Sequence, residues 1–91
     1  MLSQLYLIRS KADGSYLAAH PTDEANYLLM FREKFEALSY LNTHGQGVAD
    51  RFAVESIPGT QLKALLQRWG FSGVGLVQDP LIPQIQFMTY Q

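Results

Sequence analysis

The chain contains no cysteine, so disulfides, thiolate metal sites and thiol nucleophiles are all excluded, and a disulfide-dense secreted module with them. Charge is scarce: charged residues make up 16% of the sequence, against an average near ~25%. Seven basic and eight acidic side chains leave a net charge of −1, with no block of one sign. That balance lacks the basic face and high pI of a nucleic-acid binder. No apolar run approaches the ~20 residues that cross a bilayer. Residues 1–9 lack the basic start, apolar core and small cleavage residues of a secretory leader. A cytoplasmic protein without membrane or nucleic-acid partners is expected. Repeats and low-complexity tracts are missing too, so residues 1–91 read as a single domain.

What is present is a succession of short apolar segments between turn signals. Residues 5–9 are apolar and β-favouring, and Asp13-Gly14 is a strong hairpin signal. Residues 15–20 form the expected second strand, closed by Pro21 and a polar loop over 21–26. Residues 27–31 are five apolar residues in a row, the pattern of a central strand covered on both faces. The period then changes. Phe31, Phe35, Leu38 and Leu41 recur at spacings of three and four, predicting a helix over about 32–43 that Gly45 stops. Residues 51–57 return to strand character and end at Pro58-Gly59. Thr60 is placed to cap a second helix, whose stripe is Leu62, Leu65, Leu66 and Trp69 and whose stop is Gly70. Residues 74–78 and 84–90 are the last two strands, separated by Asp79-Pro80.

The order β-β-β-α-β-α-β-β predicts an α+β fold of two layers. Its sheet has five or six mixed or antiparallel strands, and both helices lie on one face. Phe35, Phe52, Trp69 and Phe87 are expected in the core, and Tyr6, Tyr16 and Tyr90 at the surface.

Three stretches carry a family resemblance. They are the 27–31 run entering a helix, Ile57-Pro58-Gly59 feeding the helix with Leu65-Leu66, and the Gly73-Val74-Gly75-Leu76-Val77-Gln78-Asp79-Pro80 strand end. Together, across residues 27–88, they resemble the amino-terminal domain of the SseB family. Arg32-Glu33 and Asp79 depart from that family's usual residues, and no counterpart of its second domain is expected within residues 1–91. The resemblance implies a non-enzymatic accessory or interaction role and carries no catalytic residue.

Chemical constellations are thin. His20 with Asp23 and Glu24, together with His44 and Asp50, offers metal-ligand atoms without the i, i+4 spacing that aligns them on a helix. His44 suits a helix C-terminus instead. The 70–75 glycine segment follows a helix and precedes a strand, the reverse of a phosphate loop. Ser39, Ser56 and Ser72 lack a nucleophile elbow, and the 44–47 glycine segment therefore has no nucleophile to serve. No catalytic residue, metal or cofactor is expected.

The leading expectation is a non-catalytic protein-interaction or regulatory module that self-associates. It rests on the low charge, the sheet face that one-sided helices would leave open, and the charge-free last strand. Tyr6, Met88 and Tyr90 are its expected contact residues. The alternative is a small-ligand-binding domain with a pocket near Arg51, Gly73, Gly75 and Asp79. An enzyme is least expected, because no acid–base pair is nominated.

Overall fold

The computed structural model describes residues 4–89. Six strands and two helices follow one another in the expected order: β1 (Gln4–Ser10), β2 (Ala18–Thr22), β3 (Ala25–Met30), α1 (Lys34–His44), β4 (Phe52–Pro58), α2 (Leu62–Trp69), β5 (Gly73–Asp79) and β6 (Gln84–Thr89). The fold is α+β.

The strands divide into an antiparallel ribbon, β1-β4, and a four-stranded sheet of order β2-β3-β5-β6. Within that sheet β3 and β5 run parallel, and the two outer pairs are antiparallel. Backbone hydrogen bonds stitch the two sheets together. The Tyr6 N–H donates to the Phe31 carbonyl and the Phe31 N–H to that of Tyr6, both at 2.9 Å. Leu17 extends the seam, donating to Ile8 and accepting from Leu29. β1 therefore lies beside the end of β3.

Side chains of successive strand residues point to opposite faces, and here both faces are filled. Leu28 and Met30 of β3 join Leu5, Leu7, Ile57 and Val74 around Leu66 of α2. Leu29 of β3 and the following Phe31 join Ile8 and Val77 around Ala37 and Leu41 of α1. The two helices thus cover opposite faces, which corrects the expected one-sided arrangement. The continuous apolar run at 27–31 is the reason: a strand with large apolar residues at both parities needs cover on both sides. Phe31, Leu7, Ile8, Leu28 and Val77 are the largest fully buried side chains, each stabilising the fold by ~1.5–3 kcal/mol through burial.

Several local expectations shift for identifiable reasons. The second strand begins at Ala18 and runs through Pro21, so the expected polar loop shrinks to a turn at Asp23-Glu24. Pro21 is tolerated because β2 is an edge strand, where a missing N–H costs no ladder bond. α1 starts at Lys34, not 32, so only part of the expected stripe is buried. Phe31 packs from the end of β3, and α1 buries Leu41 of the stripe together with Ala37, which lay outside it. Phe35 is left 66% exposed and Leu38 faces outward with it. Thr60 lies inside a short 3-10 turn, Gly59–Gln61, and caps nothing. Gly70 does end α2, in the left-handed conformation at φ 72°, which glycine adopts without a Cβ clash.

Candidate functional site

Two features of the molecule differ from ordinary packing, a groove under α2 and the outer edge of β6. The groove arises where β1 and β4 change character along one face. In their antiparallel register Leu5 faces Ile57, Leu7 faces Glu55 and Arg9 faces Ala53. The face that α2 covers is apolar at the Leu5–Ile57 end and charged at the other. Opposite it, α2 and its entry present Gln61, Ala64, Leu65 and Arg68, spaced i, i+3, i+4, i+7 and hence on one helical face. Ala64 is the smallest of these side chains. A cavity of about 520 Å³ remains, lined by Arg9, Tyr16, Glu55, Ile57, Gln61, Ala64, Leu65, Arg68 and Trp69.

A fixed polar network forms its floor. Arg9 Nη1 donates to Glu55 Oε2 at 3.0 Å, and Arg9 Nε donates to the Gly14 carbonyl at 2.8 Å. Tyr16 Oη donates to the other Glu55 oxygen, Oε1, at 2.9 Å. The Arg9 guanidinium also lies over the Tyr16 ring, 5.0 Å from its centroid. Its hydrogen bond to Glu55 raises the Arg9 pKa still further. Burial, followed by the bond to Glu55, raises that of Tyr16, so the phenol keeps its proton as donor. Trp69 meets Tyr16 edge-on, with ring centroids 5.3 Å apart, and is 41% exposed. It is a wall of the groove and not the core residue its place in the stripe predicts.

The second feature is β6. Gln84–Thr89 contains no charged residue and is exposed everywhere except Ile85, which is half-buried. Among the described residues only one of its long edges is paired, to β5. Phe87, 44% exposed, stands over Gly75 against the Tyr27 ring, centroids 5.1 Å apart. Phe87, too, is no core residue. Leu81 and Ile82 are exposed in the preceding turn.

The expected site residues are scattered. Met88 lies exposed in β6. Tyr6 lies half-buried in β1, packed against the cluster under α1, and does not join it. Tyr90 lies outside the described residues. Of the proposed pocket, Gly73 and Gly75 are buried within β5, and Asp79 ends that strand, accepting from the Leu81 N–H at 2.9 Å. Arg51 is exposed in the 3-10 turn before β4. None of these four lines the groove or the smaller cavity of about 210 Å³ beside α1.

His44 touches that smaller cavity, and its Nε2 lies 2.8 Å from the Pro80 carbonyl, tying the end of α1 to the β5–β6 turn. His20 is exposed on β2. No group of three or more metal-ligating side chains occurs among the described residues. The groove residues escaped the sequence reading, although a signal existed. Arg9 and Glu55 carry charge at strand positions of the same parity as apolar Leu5, Leu7 and Ile57.

The fold and these two surfaces define a small α+β domain. The chain matches no protein-family model, and neither curated proteins nor solved structures provide a match.

Proposed function

We propose that this domain is a non-catalytic protein-interaction module that self-associates through the free edge of β6. The observation that carries this reading is the contrast between the two edges of the four-stranded sheet. β2 is interrupted by Pro21 and by a register shift between Ala19 and Thr22, devices that blunt an edge against further pairing. β6 has neither proline nor charge, and its single register shift lies at its start, beside Val77 and Asp79. Six uncharged residues meeting a second copy across a two-fold axis bring no like charges together, whatever the register. Phe87 and Met88 supply apolar area to such a pairing. The resemblance of residues 27–88 to the SseB amino-terminal domain supports the same reading.

Sedimentation equilibrium over a concentration series up to about 1 mM tests it by mass action. A dimer that becomes monomeric on combining Gln86→Lys with Met88→Lys, with the far-UV spectrum unchanged, is the expected result. A wild-type chain that stays monomeric at the highest concentration refutes it.

A further inference from the structure

The groove under α2 is independent of the β6 edge. It lies over the β1-β4 ribbon, while β6 closes the far side of the other sheet. We propose that it binds a small monocarboxylate carrying one aromatic ring.

The charge of the groove decides the sign of the ligand. Two guanidinium groups, Arg9 and Arg68, face one carboxylate, Glu55. Glu55 is already engaged through both oxygens, by Arg9 and by Tyr16. Arg68 makes no ion pair among the described residues. The uncompensated charge is therefore a single guanidinium, whose planar fork matches one carboxylate with two parallel hydrogen bonds. A cationic ligand fits poorly. It would sit between two guanidiniums, and Arg9 already stands over the Tyr16 ring that would otherwise attract it.

The shape of the groove decides the rest of the ligand. Trp69 and Tyr16 give the otherwise mostly polar groove an aromatic side, and Gln61 adds an amide at the rim. The volume of about 520 Å³ falls within the ~300–1,000 Å³ of small-molecule sites. Tyr16 and Glu55 are joined by a hydrogen bond before any ligand arrives, so this side of the groove needs no ordering on binding.

Trp69 is the sole tryptophan of the chain, so its indole N–H gives one identifiable cross-peak in a ¹⁵N–¹H spectrum. Phenylacetate, 2-phenylethanol and phenethylamine serve as anionic, neutral and cationic probes of similar shape. Phenylacetate is expected to shift the Trp69 peak saturably with a Kd of about 1 mM or tighter, as suits a fragment of its size. The other two probes should bind at least about tenfold more weakly, and Arg68→Gln should weaken phenylacetate by a similar factor. Ala64→Leu, which fills the groove from an exposed helix position, should abolish the shift while the melting temperature holds. Three outcomes overturn the proposal: no saturable shift with phenylacetate, equal binding of the amine, or full binding by Arg68→Gln.

Discussion

Leu28 and Leu29 are neighbours in β3, yet each is buried beneath a different helix, at 0% and 2% exposure. That relationship means that the sheet separates two apolar clusters, one under α2 and the other under α1. Leu28→Ala and Leu29→Ala should each cost about 2–5 kcal/mol in urea unfolding, the range for truncating a buried leucine. Were both helices on one face, one member of the pair would face water and its truncation would cost under about 1 kcal/mol. Two large losses support the two-sided arrangement, and one large with one small contradicts it.

The rotation of α1 gives a second comparison. Phe35 points outward, while Leu41 packs among Ile8, Phe31 and Val77. Phe35→Ala is expected to change stability by no more than about 0.5 kcal/mol, as for an exposed position. Leu41→Ala should cost about 2–5 kcal/mol. A large loss at Phe35 would show that the helix presents the stripe predicted by its sequence.

That stripe shows why some of the fold was legible in the sequence and some was not. The strand at 27–31 and the helix ending at Gly70 announced themselves through local rules, namely an unbroken apolar run and a glycine at a helix stop. The order of elements followed from such signals. The phase of α1 did not, because Phe31 belongs to the strand before the helix, and counting from it turned the apolar face away from Ala37. The groove stayed hidden for a different reason. It depends on Arg9 and Glu55 meeting across β1 and β4, and on Ala64 standing opposite both, a juxtaposition that spans more than fifty residues of sequence. The charge-free strand predicted over 84–90 was legible, whereas its position at the sheet edge required the topology.

Gly75 tests the packing between β5 and β6. A Cβ added there would meet Ile85 Cγ2 at 3.0 Å, Leu29 Cδ2 at 3.2 Å and Phe87 Cε1 at 3.3 Å. Phe87 lies at the surface and can yield, but Leu29 is buried and has little room to move. Replacing a strand glycine by alanine ordinarily stabilises by ~0.5–1 kcal/mol. Overpacking of the buried side should reverse that sign, leaving Gly75→Ala destabilised by about 1 kcal/mol. Chemical denaturation decides it, and a stabilised variant would mean that Leu29 and Ile85 yield readily around Gly75.

The Tyr16–Glu55 bond makes a prediction about alkaline stability. Burial first, and then the hydrogen bond to Glu55, raises the Tyr16 pKa above its ordinary value in the folded chain. A raised pKa means that the fold favours the protonated phenol. Its contribution is therefore complete below the unfolded value near ~10 and disappears as pH climbs through the folded one. Tyr16→Phe removes this bond to a charged acceptor, and the variant should be less stable by about 1 kcal/mol at neutral pH. Raising the pH above about 10 should narrow the gap between wild type and variant. Tyr40, whose pKa burial also raises, is common to both proteins and cancels in the difference. Urea unfolding of both at about pH 8 and pH 11 measures the gap. A difference that stays constant between the two would show that the phenol does not donate to Glu55 in solution, and that the floor of the groove is not held in place as described.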